Sequence, residues 1–351
     1  GKEEEEMSVD INVSGGAELE ELEKLQELVR KQRQQLKELE KELKKKKKSR
    51  KKSDRAAVKR LRKKIAEQKS EIIKVSKKVK TIKVEKGKYI WNMFRGVASH
   101  DFYKGFNILP PLDFKWKFRS GAGFSASPII DSKKIYIGSM DNNFYAFDKN
   151  SGQVIWKLPA NGAISSTAAL YRGILYFGTE TGFFFAVDAK KGKIKWKKRL
   201  GAGVQASSPA VFSKYVYVGC MDKNIYAFDR LTGKIIWKFT TYGPVASSPT
   251  IANGMVYIGS LDKNLYALDV ETGEVQWQYQ TGGFIFSTPA EDSGVLYFGA
   301  DDKRIYAVDS MNGSIKWAFQ TNGWVSSSPV VKGGVVYLSL IHISEPTRPL
   351  Y

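Results

Sequence analysis

Six tryptophans recur at a nearly constant interval along the C-terminal part of this 351-residue chain. The intervals are 40, 40, 41, 40 and 40 residues, and the residues are Trp116, Trp156, Trp196, Trp237, Trp277 and Trp317. Short runs rich in β-branched and aromatic residues accompany each tryptophan. A fixed period near 40 residues with several β-rich runs in each unit is typical of a propeller or a solenoid.

The unit at residues 240–279 shows how one repeat is built. Its apolar runs predict four strands, at residues 245–251, 255–260, 265–269 and 274–279. Turn-forming pairs such as Asn-Gly and Thr-Gly separate these strands. A single four-stranded blade cannot bury both of its faces, so neighbouring blades must stack. We therefore predict that the periodic tryptophans dock adjacent blades and do not stack on a ligand.

The repeats resemble those of the pyrroloquinoline quinone (PQQ)-like β-propeller family. The resemblance is carried by the run Val-Tyr-Ile-Gly-Ser-Leu-Asp-Lys-Asn-Leu-Tyr-Ala-Leu-Asp-Val-Glu-Thr-Gly at residues 256–273, by Trp277, and by Ser-Thr-Pro at residues 287–289. The segment Trp-Asn-Met-Phe-Arg-Gly at residues 91–96 is similar to the one that commonly opens these domains. The resemblance spans residues 91–337.

This resemblance implies an all-β propeller with four-stranded blades. Family members usually have seven or eight blades, whereas this chain predicts five and a partial sixth, at residues 119–158, 159–198, 199–239, 240–279, 280–319 and 320–337. Residues 114–118 are similar to a fourth strand without its blade. Residues 338–351 resemble a translated sequencing adapter and begin where the repeat requires a glycine, so we expect an artefact tail on a fragment of a longer protein.

Residues 17–88 show two segments of heptad repeats, which predict a charged α-helical coiled coil preceded by a disordered segment at residues 1–16. The apolar residues recur every seven positions, at Leu22, Val29, Leu36 and Leu43, and again at Val58, Ile65, Ile72 and Val79. An antiparallel hairpin is favoured, because it places the acidic first segment against the basic second one. The alternative is a long helix paired with another chain.

Positive charge is concentrated just before the propeller. Residues 44–88 carry 22 Lys and Arg against four Asp and Glu. Nucleic acid or anionic lipid could contact the block at residues 44–64, but we expect a solvated helical face and turn instead. On the propeller, Lys193, Lys195 and Lys197 are expected to keep an exposed strand edge soluble. No run of 18 apolar residues occurs, so no transmembrane helix is predicted in this chain.

The family includes quinone-dependent dehydrogenases, which need the quinone, a calcium ion, a catalytic aspartate and, in many members, adjacent cysteines. This chain has a single cysteine, Cys220. Its prominent aspartates recur once per repeat, as structural turn residues do, at Asp141, Asp222, Asp262 and Asp302. A catalytic site should interrupt the repeat, and these residues follow it. We therefore predict a non-enzymatic protein without catalytic residues, cofactor or metal site.

Four aromatic residues do interrupt the repeat. They lie in the loops that lead from a fourth strand to the next first strand, where other units have small residues such as Gly123 and Ala163, and they are Tyr242, Phe284, Phe286 and Trp324. Aromatic side chains exposed on a propeller face are typical of protein contacts. We predict a partner-contact face here. The alternative is that these side chains pack against neighbouring loops.

The most specific hypothesis is a protein-interaction scaffold that binds partners through the propeller face and the coiled coil. The resemblance to outer-membrane protein assembly lipoproteins implies a role in envelope assembly and favours a periplasmic or other extracytoplasmic location. Two alternatives remain: a sensor or ligand-binding propeller of a larger signalling protein, such as a Ser/Thr kinase, and a fragment of a PQQ-dependent dehydrogenase.

Overall fold

The computed structural model describes residues 14–48, 54–81, 114–332 and 335–339. The chain divides into two compact units, Gly1–Lys88 and Tyr89–Tyr351. Several sequence-based predictions fall outside the described residues: the opening segment at residues 91–96, nearly all of the predicted disordered segment, and all but two residues of the predicted artefact tail.

The first unit contains two long helices, α1 (Ser14–Lys48) and α2 (Asp54–Thr81). Five residues separate the helix ends, and five residues reach at most about 18 Å. Helix α2 has 28 residues and is therefore roughly 42 Å long. The five linking residues cannot run back along a helix of that length, so two helices that contact each other must run antiparallel. Their buried apolar side chains form one seam, made of Val29, Leu36, Ile65 and Ile72. The described helices therefore form a hairpin within one chain.

The second unit is built from antiparallel strands. The structure describes five four-stranded sheets and one two-stranded sheet, each with its strands in chain order. Blade 1 is β1 (Ile129–Ile130), β2 (Lys134–Gly138), β3 (Asn143–Asp148) and β4 (Val154–Pro159). Blade 2 is β5 (Ala169–Tyr171), β6 (Ile174–Gly178), β7 (Phe183–Asp188) and β8 (Ile194–Arg199). Blade 3 is β9 (Ala210–Phe212), β10 (Tyr215–Gly219), β11 (Asn224–Asp229) and β12 (Ile235–Thr240).

The remaining strands follow the same plan. Blade 4 is β13 (Thr250–Ala252), β14 (Met255–Gly259), β15 (Asn264–Asp269) and β16 (Val275–Gln280). Blade 5 is β17 (Ala290–Asp292), β18 (Val295–Ala300), β19 (Arg304–Asp309) and β20 (Ile315–Gln320). The partial sixth sheet has only β21 (Val330–Lys332) and β22 (Val335–Tyr337). The structure thus contains the predicted four-stranded blades.

The first strand of blade 4 is shorter than the sequence predicts. In blade 4 the apolar run suggested a strand over residues 245–251, whereas β13 begins only at Thr250. The residues before Thr250 bond to the next blade instead of to β14, since Ser248 N–H donates to Thr288 Oγ1. Blade 2 has Ala168 where blade 4 has Pro249, and its first strand also has only three residues, so the proline is not required for the short strand. In blades 3 and 5 a serine before the first strand accepts a hydrogen bond from the second strand through its side chain. Gly219 N–H donates to Ser207 Oγ, and Gly299 N–H donates to Ser287 Oγ.

An alanine lies opposite each tryptophan between the third and fourth strands. In blade 4 Ala267 pairs with Trp277, and Leu268 then pairs with Val275, so the fourth strand carries a β-bulge. The same register shift occurs in all five four-stranded sheets, and the alanines are fully buried, namely Ala146, Ala186, Ala227, Ala267 and Ala307. The small side chain leaves room for the bulge to turn the indole toward the next blade.

The hydrophobic core lies between adjacent sheets. Buried side chains of blades 1 and 2 form one cluster, those of blades 3 and 4 a second, and those of blades 4 and 5 a third. Each blade therefore buries its faces against its neighbours, as expected for stacked repeats. None of the described helices combines the length and apolarity that a membrane span requires.

Candidate functional site

Five of the six repeat tryptophans are followed in the chain by a complete blade. The indole N–H of each of these five donates to a backbone carbonyl of the blade that follows it. Trp237 Nε1 lies 3.1 Å from the Val270 oxygen, which belongs to the turn after β15. Four other tryptophans make the equivalent bond at 3.0–3.2 Å, in the pairs Trp116–Lys149, Trp156–Ala189, Trp196–Arg230 and Trp277–Ser310. Because Trp116 makes this bond, residues 114–120 occupy the place of a fourth strand against blade 1.

A glycine of the next blade lies under each of these indoles. Gly273 has a φ of +71°, and a Cβ placed on it would come within 2.6 Å of the Trp237 ring. Both the left-handed backbone and the close ring therefore require glycine at this position. The same arrangement occurs at the other four junctions, with Gly152, Gly192, Gly233 and Gly313. The glycine of the turn between the third and fourth strands thus marks the surface on which each of these tryptophans packs.

Trp317 differs from the other five repeat tryptophans. Its side chain is 42% exposed, whereas Trp237 is only 7% exposed. The sheet that follows Trp317 has its first two strands in the described residues, so the turn that would receive the indole is not among them. The neighbouring Phe319 is 63% exposed for the same reason.

Side-chain hydroxyls link the blades a second time, near the start of each unit. Backbone N–H groups of one blade donate to the hydroxyl about 40 residues further on, at 2.9–3.4 Å, in the pairs Ser127–Thr167, Thr167–Ser208, Ser208–Ser248, Ser248–Thr288 and Thr288–Ser328. These residues precede the short first strands, where no ladder partner is available. The repeated Ser/Thr positions thus tie each blade to the next.

One face of the propeller unit, here called the loop face, is formed by two kinds of connection. They are the turns between second and third strands and the loops from a fourth strand to the next first strand. Leu261 N–H of such a turn donates to the Pro244 oxygen of such a loop, and Asp301 N–H donates to the Phe284 oxygen, both at 2.9 Å. The loops are therefore held by backbone hydrogen bonds to the turns beneath them.

The repeated aspartates hold these turns together. Tyr145 Oη donates to Asp141 Oδ2 at 2.6 Å, and Gly121 N–H of the preceding loop donates to the same oxygen at 3.1 Å. Asp222, Asp262 and Asp302 make the same pair of bonds. Burial alone would raise the pKa of Asp141, but hydrogen bonds from Tyr145 and Asn143 outweigh it and lower the pKa below its usual range.

The four predicted contact aromatics lie on the loop face and are exposed. The exposed fractions are 89% for Tyr242, 58% for Trp324, 44% for Phe284 and 37% for Phe286. The residues between them are buried, since Val245, Ile285 and Val325 are at most 1% exposed and anchor the loops in the core. The structure thus places Tyr242, Phe284, Phe286 and Trp324 on three consecutive loops, with fixed backbones and accessible rings.

The described residues do not fit the quinone and calcium site of a dehydrogenase. The recurring aspartates Asp141, Asp222, Asp262 and Asp302 accept hydrogen bonds from their own turns. No group of three or more His, Cys, Asp or Glu in residues 14–48, 54–81, 114–332 and 335–339 is arranged to hold a metal ion. Cys220 is fully buried, and burial raises the pKa of its thiol to about 12. A thiol with such a pKa is protonated and packed, as a structural residue is.

Sequence reasoning missed several residues that hold the blades. The glycines under the indoles and the hydroxyl pairs follow the 40-residue period, so the period could have identified them. The hydroxyls of Tyr176, Tyr217 and Tyr257 donate to the same carbonyls as the tryptophans of their blades. These tyrosines could have been found in the same way, because each begins a Tyr-x-Gly run. In blade 2 the cationic groups of Lys197 and Arg199 lie over the ring of Phe183. The period could not have identified this contact, because no other blade has a phenylalanine at that position.

A protein-family model and three solved structures relate this chain to known proteins. The family model is described as outer membrane protein assembly factor BamB and matches residues 76–220, 196–286 and 281–340. BamB from Moraxella catarrhalis is 18% identical, with a TM-score of 0.55 over 60% of this chain and 68% of that chain. No curated protein matches the sequence.

Two quinohemoprotein alcohol dehydrogenases share the fold. The enzyme ADHIIG from Pseudomonas putida HK5 is 19% identical, with a TM-score of 0.56 over 66% of this chain and 48% of that chain. The enzyme from Comamonas testosteroni is 17% identical, with a TM-score of 0.58 over 66% of this chain and 49% of that chain. This chain therefore spans about half the length of either dehydrogenase. These similarities confirm the PQQ-like propeller fold.

Proposed function

Because this chain belongs to the family described as outer membrane protein assembly factor BamB, we propose that it is a non-enzymatic scaffold that binds a protein partner during outer-membrane protein assembly. The propeller supplies a rigid frame, and the aromatic residues of the loop face supply the contact. This proposal combines the family membership with the exposed aromatic side chains that interrupt the repeat on the loop face.

The observation that carries the proposal is the aromatic patch of Tyr242, Phe284, Phe286 and Trp324. Two of these rings, Tyr242 and Trp324, are more than half exposed. Exposed aromatic side chains on fixed backbones lose little conformational entropy on binding, because a Tyr or Trp side chain has only two rotatable angles. Residues of these types dominate the binding energy of protein interfaces, where a single one contributes about 2 kcal/mol or more.

Replacing Phe284 and Trp324 with serine tests this function. The double variant F284S/W324S should change its melting temperature little, because the two rings are 44% and 58% exposed. It should lose most of its captured partner in a pull-down from an envelope extract. A matched control is I235S/I315S, which removes two exposed apolar side chains from the first positions of β12 and β20, at the opposite end of these strands from the loop face. Equal capture by F284S/W324S and the unchanged protein would contradict the proposal.

The alternative of a quinone-dependent dehydrogenase is supported by the fold of two solved structures alone. The experiment is a dye-linked alcohol oxidation assay on the purified chain supplied with PQQ and calcium. We expect no turnover and no change in the melting temperature on adding PQQ, because the loop-face carboxylates already bind their own turns. Calcium-dependent binding of PQQ would favour the enzyme over the scaffold.

A further inference from the structure

The blades differ sharply in charge, although they share one fold. Residues 159–198 of blade 2 contain seven Lys and Arg against two Asp and Glu, and residues 199–239 of blade 3 contain six against two. The balance then reverses, with one against four in residues 240–279 and three against five in residues 280–319. The turn positions that shape the blades are similar throughout, so the fold does not require this asymmetry.

Most of the positive charge of blade 2 lies on its outermost strand and the turn before it. Residues 190–199 contain six lysines and one arginine and no acidic residue. Within the part of the chain that the structure describes, Lys195 is the one member of this group with a carboxylate oxygen inside 4 Å, Asp188 Oδ2 at 3.8 Å. Such a density of uncompensated charge raises the local electrostatic potential and attracts an anionic partner.

Two of these cations are held over an aromatic ring. Lys197 Nζ lies 3.8 Å from the centroid of the Phe183 ring, and the Arg199 guanidinium carbon lies 4.6 Å from it. Blades 1, 3 and 4 have asparagine at the position of Phe183, so this platform is specific to blade 2. Cation–π contacts of this kind restrict the side chains to fixed positions, which lowers the entropy they lose on binding.

A groove of about 370 Å³ extends the basic strand toward blade 1. Four cationic side chains line it beside two carboxylates, and these six residues are Lys134, Arg172, Lys190, Lys195, Asp131 and Asp188. Because Lys190 and Lys195 belong to both features, the groove and the strand form one continuous surface. We call residues 190–199 together with this groove the basic rim.

We propose that the basic rim is a docking site for an acidic segment of polypeptide. Lysine predominates over arginine here, and lysine lacks the planar fork that favours phosphate recognition. The Phe183 ring, which could otherwise stack on a nucleic acid base, is already covered by Lys197 and Arg199. Carboxylates spaced along a peptide match the remaining feature, a row of ammonium groups. The site stands whether or not the aromatic patch of the loop face binds a partner.

The test measures binding of a labelled ten-residue glutamate peptide to the full chain by fluorescence anisotropy at low salt. The variant K193Q/K195Q/K197Q/R199Q should bind at least about tenfold more weakly, with an unchanged melting temperature. A matched control, K44Q/K45Q/K63Q/K64Q, neutralises four exposed lysines of the hairpin and should change the affinity less than about twofold. If the quadruple rim variant does not fold, the single variants K197Q and R199Q replace it and should each weaken binding.

Three outcomes would overturn the proposal. The first is equal peptide affinity for the rim variant and the unchanged protein. The second is loss of binding in the hairpin variant alone. The third is a rim that binds a 20-base-pair DNA duplex or phosphatidylglycerol vesicles more tightly than the peptide at equal salt. If these lysines only keep the strand edge soluble, the first outcome is expected. The rim variant would then aggregate but would bind the peptide with unchanged affinity.

Discussion

The carbonyl of Val270 accepts two hydrogen bonds from the preceding blade, one from Trp237 Nε1 at 3.1 Å and one from Tyr217 Oη at 2.9 Å. A carbonyl oxygen has two lone pairs, so one backbone group satisfies both buried donors. Three further junctions repeat this sharing, at the oxygens of Ala189, Arg230 and Ser310. At each shared carbonyl, the Trp and Tyr rings of one blade pack against the next blade and also donate hydrogen bonds to it. The two contacts together fix the position of one blade against the next.

Substituting Trp237 with alanine should therefore destabilise the propeller strongly. The variant loses a ring that is 7% exposed and leaves a cavity over Gly273, and a change of this size lowers the free energy of unfolding by about 3–5 kcal/mol. Trp317 provides a matched control in the same chain, because its ring is 42% exposed. We expect W317A to cost about 1 kcal/mol.

Chemical denaturation of both variants measures these differences. The linear dependence of the free energy on denaturant gives the change for W237A and for W317A under the same conditions. Equal losses for the two variants would show that burial between blades is not what makes these tryptophans stabilising.

At the scale of the elements, the hairpin combines an apolar seam with a polar contact. Gln68 Nε2 donates to the backbone oxygen of Gln32 at 3.4 Å and to Gln35 Oε1 at 3.3 Å. A polar residue at a core position costs stability, but it favours one register over others. Because Leu36 and Ile65 are already less than a tenth exposed within one chain, the described part of the hairpin needs no second copy to cover its seam.

Deleting residues 14–81 should therefore leave the number of chains per particle unchanged. The hairpin buries its seam within the chain, so its removal exposes no surface that held two copies together. Sedimentation equilibrium of the full chain and the deletion variant measures this number directly. A change from dimer to monomer on deletion would show that the helices also pair between chains.

The strands also show which features of the fold the sequence alone predicts. The tryptophan period predicted the four-stranded blades. Each blade is formed by one repeat, and neighbouring repeats stack in the same way, so the pattern of a single repeat is enough to predict it. The length of β13 was not predicted, because the serines before it, Ser247 and Ser248, form hydrogen bonds to the next blade instead of to β14. The sequence alone predicts only a soluble strand edge at Lys193, Lys195 and Lys197, because the positions of Lys197 and Arg199 over Phe183 emerge only when β7 and β8 are paired.

The propeller unit as a whole is a row of blades in which each contacts only its neighbours. Its stability is then the sum of blade stabilities and junction energies, so a blade with neighbours on both sides is held more firmly than one with a neighbour on one side. Blade 4 has a complete blade on each side. Blade 5 is followed by a described sheet of only two strands, and every residue of β20 is exposed.

Hydrogen exchange should reveal this gradient along the chain. We expect the backbone amides of β20 to exchange faster than those of β16, because opening blade 5 disrupts one complete junction whereas opening blade 4 disrupts two. The two strands are matched, since both are fourth strands of six residues with a central tryptophan at the same position. Mass spectrometry of peptides that cover β16 and β20 measures the difference in one sample. Equal protection of the two strands would mean that the blades unfold as a single cooperative unit, and junction energies would then not set the local stability of the propeller.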